Sequence, residues 1–210
     1  MTSTRLLRVD PVHPQESVLK EAAGVVLKGR LVAFPTETFY GLGAHALAAG
    51  AVRRIYAVKG RPEVKPLLVL VDSVRMAESL VKEVPAAALA LMARYWPGPL
   101  TLVFRAMPNL PEELTAGTGT IGIRMSGHPV AFELVRAAGV PITAPSANLS
   151  GEEPPTTAAE VRRAFDGKIA LILDGGATTG GLPSTIVDVT VIPPRIIRPG
   201  ALELPELEPS

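Results

Sequence analysis

Residues 49–71 read AGAVRRIYAVKGRPEVKPLLVLV. Their first half predicts a helix over Ala49–Val58, because Val52 and Ile55 recur at the spacing that places them on one helix face. The last five residues, Leu67–Val71, form a continuous apolar run of strand length, which is typical of a buried strand. A helix that leads into a buried strand indicates a fold in which helices pack on a sheet.

The same alternation of helical and strand patterns continues through the rest of the chain. The other predicted helices are Gln15–Lys28, Ser73–Lys82, Pro85–Tyr95, Pro129–Ala138 and Thr157–Phe165. The other predicted strands are Leu31–Phe34, Leu100–Arg105, Ile121–Arg124, Pro141–Ala144, Ile169–Leu173, Thr185–Val191 and Ile196–Ile197. This order predicts an α/β fold with helices packed on a twisted, mixed β-sheet. Residues 1–204 are expected to form a single domain, and residues 205–210 a loose acidic tail.

The composition argues against several classes of protein. Hydrophobic residues make up 47% of the 210 residues and charged residues 20%, which supports a folded core. The formal net charge of +1 lacks the basic excess of most nucleic-acid-binding proteins. Without Cys, and with three His that lack metal-ligand spacing, the chain offers no disulfide, thiolate nucleophile or recognisable metal site. No signal peptide or membrane span is recognisable, so a soluble cytoplasmic protein is expected.

Four polar or glycine-rich segments lie at predicted strand ends, where open α/β sheets bind their ligands. In Phe34–Gly43, two threonines flank Glu37, an arrangement that suits an ammonium group and a small polar substrate, or simply a turn capped by Thr side chains. The loop Lys59–Leu67, taken with Arg53 and Arg54, has five cations in thirteen residues. Such a loop suits a polyphosphate, although a solvated basic loop at a helix end explains it equally well.

The other two segments lie further along the chain. The Gly/Thr-rich loop Thr115–Thr120 offers backbone N–H groups to anions and leads into a strand that ends at Arg124, or it is a flexible hairpin connection. The turn Thr143–Gly151 displays Ser146 and Asn148, which could bind phosphate oxygens or a base edge, or could form an ordinary Asx/Ser turn. No single segment decides between a ligand site and a plain turn.

In their order along the chain, these segments resemble the YrdC family of threonylcarbamoyl-adenylate synthases. The matching segments are Pro35–Thr38, Tyr40–Gly43, Lys59-x-Arg61, Lys65–Leu67, Trp96–Thr101, Ile123–Met125, Ser146-x-Asn148, Asp174–Gly176, Ser184–Ile186 and Arg198–Gly200. Each motif alone is weakly specific, but the ordered set is specific and covers roughly Leu7–Leu202. The chain resembles the single-domain form, because it ends before the extra C-terminal domain of longer members.

The resemblance implies a large, concave, positively lined site on the sheet. The implied ATP-binding residues are Lys59, Arg61, Lys65, Thr120, Arg124, Ser146, Asn148 and Arg198, with Lys59 and Arg61 also catalytic. The implied threonine-binding residues are Thr38, Ala144 (through its backbone) and Ser184. One position departs from the family: Leu70 stands where some members have a His near the amino acid.

The activity that the resemblance implies is formation of L-threonylcarbamoyl-adenylate and pyrophosphate from L-threonine, bicarbonate or CO₂, and ATP. Mg²⁺ would accompany ATP, and no protein nucleophile is needed. The product would serve threonylcarbamoyl modification of the adenosine next to the tRNA anticodon, through a downstream threonylcarbamoyl-transferase complex and with weak tRNA or double-stranded RNA binding. Two alternatives remain open: an RNA-binding module without catalysis, and a carbamoyl-adenylate-forming homologue like that of hydrogenase-maturation proteins.

Overall fold

A computed structural model describes residues 3–60 and 65–207 of the chain. Its helices are α1 (Glu16–Leu27), α2 (Ala49–Lys59), α3 (Val74–Glu78), α4 (Ala86–Tyr95), α5 (Glu112–Thr115), α6 (Pro129–Ala138) and α7 (Ala158–Phe165), with a 3₁₀ helix over Pro205–Leu207. Its strands are β1 (Arg5–Arg8), β2 (Val32–Pro35), β3 (Tyr40–Gly43), β4 (Leu68–Leu70), β5 (Leu100–Arg105), β6 (Thr120–Arg124), β7 (Ile142–Thr143), β8 (Leu171–Asp174), β9 (Thr185–Asp188) and β10 (Arg195–Arg198).

The helix ends follow local chemistry that the sequence contains. The α7 helix begins with a capping box, in which Thr157 Oγ1 accepts from the Glu160 N–H and the Glu160 carboxylate accepts from the Thr157 N–H. The α2 helix ends at Lys59, and its C-cap Gly60 has a φ of 60°, in the left-handed region that glycine tolerates. Helix α3 ends at Glu78 and is therefore shorter than the predicted Ser73–Lys82.

The predicted α/β class and the mixed pairing are confirmed, but the strands are divided between two sheets. One sheet has the order β1-β8-β2-β3 and the other the order β10-β9-β5-β6-β4-β7. Each sheet contains both parallel and antiparallel pairs. Strands β1 and β3 were not predicted, because β1 begins and ends with an exposed arginine and β3 carries two glycines, which are poor strand formers.

The two sheets are joined through β3 and the segment that follows β7. Leu42 N donates to Pro145 O at 2.8 Å, and Ala147 N donates to Tyr40 O at 2.8 Å. The join is tight at Gly43, where an added Cβ would lie 2.7 Å from the Phe34 ring. The same Cβ would lie 2.9 Å from Ile142 Cγ2 on β7 of the other sheet, so a larger residue at Gly43 would push the sheets apart.

Two apolar clusters stabilise these layers. One packs α1 and α6 on the four-stranded sheet, through buried side chains that include Val26, Leu134 and Phe34. The other is larger and contains Phe104 and Phe165. Both clusters bury aliphatic and aromatic surface. Each Å² of apolar surface removed from water stabilises the fold by roughly 25 cal/mol, and this is the main favourable contribution to folding.

The C-terminal segment contacts helix α4. Leu204 is buried, and Tyr95 Oη donates to Glu206 Oε1 at 2.8 Å. Pro205–Leu207 form the 3₁₀ helix, and the expected loose acidic tail over residues 205–210 stays a prediction. Residues 208–210 lie outside the described residues. No helix within the described ranges is long and apolar enough to cross a membrane.

Candidate functional site

A cavity of about 530 Å³ lies on the face of the six-stranded sheet. Its floor is formed by side chains of neighbouring strands, including Thr101 and Val103 of β5 and Arg124 of β6. Thr101 and Val103 lie on the same face because alternate residues of a strand share a face. Seven of the predicted site residues line this cavity: Thr38, Thr120, Arg124, Ala144, Ser146, Ser184 and Arg198. Residues up to 160 positions apart in the chain thus meet at one site, as the resemblance implies.

Arg124 lies at the end of β6, in register with Leu70 of β4. Its side chain is only 3% exposed, and its Nη2 lies 2.6 Å from Glu37 Oε2. Nη1 is 3.5 Å from Thr38 Oγ1, and Nε is buried without a hydrogen-bond partner in the described part of the chain. Arg124 therefore retains donor capacity for a ligand. Leu70, at the position where some family members have His, lines the same cavity.

The Glu37 carboxylate interacts with three groups at the end of β6 and just after it. Besides the ion pair with Arg124, its Oε2 accepts from Ser126 Oγ at 2.5 Å and its Oε1 from Gly127 N at 3.0 Å. Burial opposes ionisation of this carboxyl, but the Arg124 charge and these hydrogen bonds outweigh burial and lower its pKa. The sequence suggested that Glu37 holds a substrate ammonium; the structure instead pairs it with Arg124.

The turn between β2 and β3 presents the Thr38 hydroxyl to the cavity. Thr36 Oγ1 donates to Phe39 O at 2.7 Å and accepts from Thr38 N at 3.2 Å, so it closes the turn. Thr38 Oγ1 then lies 3.0 Å from Thr36 Oγ1. Across the cavity, Ala144 N donates to Leu68 O at 2.8 Å, so any backbone contact from Ala144 to a ligand would come from its carbonyl oxygen.

The opposite rim of the cavity is formed by Ser184 and Arg198. Ser184 Oγ lies 2.9 Å from Thr101 Oγ1, and Arg198 Nη2 donates to Ser184 O at 2.8 Å. The chain passes so closely here that a Cβ on Gly200 would lie 2.2 Å from Pro183 O. Glycine at this position therefore lets the strand end approach and hold Arg198 at the rim.

Arg124 and Arg198 act on each other electrostatically. Partial burial, and secondarily the Arg124 charge, lower the pKa of Arg198. Two guanidinium groups that face one cavity repel each other, and an anion placed between them would relieve that repulsion. The positively lined site remains a prediction, since the Arg124 charge is offset by Glu37 and since Arg61 lies outside the described residues.

Lys59 brings the Ser146–Asn148 turn to the end of α2 without lining the cavity. Its side chain is buried, and Nζ donates to Ser146 O at 2.5 Å and to Asn148 O at 2.6 Å. The expected convergence of the Lys-x-Arg and Ser-x-Asn segments is thus present for the residues described. The exposed Lys65 also lies outside the cavity lining; its backbone oxygen accepts from Tyr56 Oη at 2.9 Å.

Asn148 and Thr120 are the remaining predicted ATP-binding residues. Asn148 Nδ2 donates to Leu149 O and Glu152 O, while its buried Oδ1 has no hydrogen-bond partner in the described ranges. It lines a neighbouring cavity of about 490 Å³ that shares Pro154 with the first. Thr120 Oγ1 lies 2.9 Å from the exposed Thr118 Oγ1. The structure therefore places Ser146 in the main cavity and Asn148 beside it.

The oxygen donors of the site suit a metal that arrives with its ligand. Within residues 3–60 and 65–207, no three His, Asp or Glu side chains are grouped to hold a metal. The donors that line the cavity are instead hydroxyl groups, such as those of Thr38 and Ser146. Mg²⁺ keeps several waters and binds through substrate phosphates, so this donor set is compatible with Mg²⁺ carried by ATP. The Mg²⁺ prediction itself remains a prediction.

Sequence reasoning missed two members of the site. Thr101 could have been found, because it alternates with Val103 on a predicted strand and so shares a face with whatever that strand lines. Ser126 could not, because its only signal is the contact with Glu37, which is 89 residues away. Long-range polar pairs of this kind leave no local pattern.

Three comparisons place the chain among known proteins. A curated threonylcarbamoyl-AMP synthase of Pyrococcus abyssi is 47% identical over 92% of this chain. A curated protein of the same name from Bacillus subtilis is 43% identical over 95% of it. The crystal structure of P. abyssi Sua5 complexed with L-threonine matches with a TM-score of 0.93 and 46% identity, over 97% of this chain and 59% of that chain.

The match to the family extends over most of the chain. Residues 24–200 fit the Sua5/YciO/YrdC family model, which carries the description "Telomere recombination". This chain spans 57% of the P. abyssi relative and 58% of the B. subtilis relative. The identity, the shared fold and the family model agree, and this chain therefore belongs to the Sua5/YciO/YrdC family.

Proposed function

We propose that this chain forms L-threonylcarbamoyl-adenylate and pyrophosphate from L-threonine, bicarbonate or CO₂, and ATP. One observation carries the proposal: residues implied to bind threonine and residues implied to bind ATP line one cavity of about 530 Å³. The names of the P. abyssi and B. subtilis relatives support it, because both are threonylcarbamoyl-AMP synthases. They favour this activity over a non-catalytic RNA-binding module or a carbamoyl-adenylate-forming homologue.

The amino acid would lie between Thr38 and Ser184, with Arg124 beside it. The lining contains two arginines and, among the described residues, no carboxylate. Such surroundings disfavour an ammonium group and favour the neutral amine of threonine. The neutral amine attacks CO₂ and loses a proton to give a carbamate, or forms the same carbamate from bicarbonate with loss of water. The two guanidinium groups would assist this first step by favouring the neutral amine.

The second step needs no nucleophile from the protein. A carbamate oxygen attacks the α-phosphate of ATP, and pyrophosphate leaves with its electron pair. Negative charge develops on phosphate oxygens, so positioning and fixed cations lower the barrier. Arg124 and Arg198 would supply that charge, with Lys59, Arg61 and Lys65 on the nearby basic loop. Mg²⁺ bound with ATP would neutralise further charge on the phosphates.

The product is a mixed anhydride, which is an activated acyl donor. A transferase that acylates an amine must consume it, and we place that transfer at the adenosine next to the tRNA anticodon, through a threonylcarbamoyl-transferase complex. The net charge of +1 argues that any direct tRNA binding by this chain is weak and salt-sensitive.

Removal of one basic side chain tests the nucleotide end of the site. Loss of a charge-assisted phosphate contact is expected to lower turnover by about 10–100-fold. Arg61→Ala is the simpler variant. Lys59→Ala also removes the ammonium that binds Ser146 O and Asn148 O, so it should destabilise the turn as well as slow turnover. Near-normal turnover in both variants would contradict the assignment.

The decisive experiment is incubation with ATP, Mg²⁺, bicarbonate and each amino acid in turn, followed by mass spectrometry of the adenylate. We expect the threonylcarbamoyl-adenylate mass with threonine, and its loss when bicarbonate is omitted. Absence of adenylate and of pyrophosphate with every amino acid would refute the proposal. Salt-dependent tRNA binding without ATP turnover would then favour the RNA-binding module, and an adenylate formed from carbamoyl phosphate the carbamoyl homologue.

A further inference from the structure

We propose that Glu37 is a positioning residue, which holds the Arg124 guanidinium in the orientation that the reaction uses and does not itself touch substrate. The inference rests on the proposed function, because it assigns Arg124 a role in that reaction. Glu37 is absent from the residues that line the cavity, whereas Arg124 lines it. Glu37 therefore contacts Arg124 without itself lining the cavity.

The contacts of Glu37 orient both its own carboxylate and the Arg124 guanidinium. Its Oε2 lies 2.6 Å from Arg124 Nη2 and accepts from Ser126 Oγ at 2.5 Å. Its Oε1 accepts from Gly127 N at 3.0 Å. One carboxylate thus joins the turn after β2 to the segment after β6. The turn supplies Thr38 to the cavity and the end of β6 supplies Arg124, so a change at Glu37 would displace these two side chains relative to each other.

The surroundings of Arg124 explain why a counter-charge is needed. Its side chain is 3% exposed, and the second guanidinium in the cavity, Arg198, adds repulsion. A buried cation without a partner is strongly destabilised, and it would turn away from a second cation. With Glu37 on one side, the guanidinium can stay in the cavity and direct its remaining N–H donors at an incoming anion.

A glutamine at position 37 separates charge from shape. Its amide oxygen can still accept from Ser126 or Gly127, but its NH₂ group would face a guanidinium that also has only donors. Arg124 would then lose its preferred orientation although the fold and the cavity remain. Ser126→Ala makes the milder change, because it keeps the ion pair and removes one hydrogen bond that orients the carboxylate.

The test is a double-mutant cycle on steady-state adenylate formation and on ATP binding measured by calorimetry. The variants are Glu37→Gln, Arg124→Gln and the pair together, and thermal unfolding verifies that each one folds. The control is Glu133→Gln, which removes an exposed carboxylate on α6 that pairs with Arg136 at 3.3 Å. We expect kcat to fall about 10-fold for Glu37→Gln and about 100-fold for Arg124→Gln, with the control unchanged.

The double variant decides the matter. If Glu37 acts through Arg124, the double variant should be no slower than Arg124→Gln alone, within about threefold. Losses that multiply to about 1,000-fold would show that Glu37 acts independently and would overturn the inference, as would normal kcat in Glu37→Gln. If Glu37→Gln does not fold, Ser126→Ala replaces it in the same cycle. If the wild-type protein makes no adenylate, the proposed function fails, and the ATP-binding cycle still decides the coupling.

Discussion

The two arginines of the cavity are held in contrasting ways. Arg124, in the middle of the larger sheet, is buried and has the carboxylate of Glu37 as its counterion. Arg198, on the edge strand β10, is exposed, and the partners recorded for it in the described ranges are the carbonyl and hydroxyl oxygens of Ser184. One cation has a charged partner, and the other has the neutral oxygens of Ser184.

This contrast indicates how one fold can present two positive charges to a small site. Solvent stabilises a charge at the rim, so Arg198 needs no acid nearby. Desolvation makes the inner charge costly, and the structure supplies Glu37 for it. Substitutions at the two arginines should therefore affect activity similarly in kind and stability very differently.

The largest effect is expected for Arg124→Gln. It leaves the Glu37 carboxylate mostly buried without its cation, which should lower the free energy of unfolding by about 3 kcal/mol in denaturant titrations. Arg105→Gln, an exposed arginine on β5, is the matched control and should unfold like the wild type. Equal stability of Arg124→Gln and the control would mean that the inner ion pair contributes nothing to the fold.

Arg198→Gln should separate activity from stability. We expect about a 10-fold loss in kcat/KM for ATP, from one lost charge-assisted contact, while the free energy of unfolding changes by less than about 1 kcal/mol. Steady-state kinetics and denaturant titrations measure the two quantities. A stability loss as large as that of Arg124→Gln would contradict the proposed difference between rim and interior.

Gly200→Ala perturbs the rim without removing a charge. An added Cβ would lie 2.2 Å from Pro183 O, so the backbone must shift and carry Arg198 away from Ser184. We expect a destabilisation of about 1–3 kcal/mol and a severalfold loss of activity. Gly24→Ala is the control, because nothing lies within 4 Å of its added Cβ on α1. Unchanged activity in Gly200→Ala would show that the position of Arg198 is not limiting.

The smallest expected effect is a change in the free energy of unfolding at acidic pH. The pKa of Glu37 is lowered in the folded protein, so its ionised form stabilises the fold fully above the ordinary value of 4.5, and that stability is lost as pH falls through the lower folded value. The difference in unfolding free energy between wild type and Glu37→Gln should therefore be constant at neutral pH and shrink in acid. The same difference for Arg198→Gln should stay flat, and a parallel decline would contradict the assignment.

Local patterns predicted much of this architecture. Helix α6 and strand β5 have the predicted bounds, because amphipathic spacing and an apolar run of strand length are properties of neighbouring residues. The ordered motifs led to the family, and seven of the predicted site residues meet in one cavity. Strands β1 and β3 were missed, because one carries arginines and the other glycines in place of the usual apolar alternation.

The amino-acid order alone was enough for the class of fold and the family, and seven of the residues that it predicted for the site line one cavity. The division into two sheets, the union of Glu37 with Arg124 and the placement of Asn148 outside the main cavity depended on the folded chain. The reason is physical. Helix and strand preferences act over a few residues, whereas ion pairs such as Glu37–Arg124 and the approach of Gly200 to Pro183 require segments far apart in the chain to be packed together.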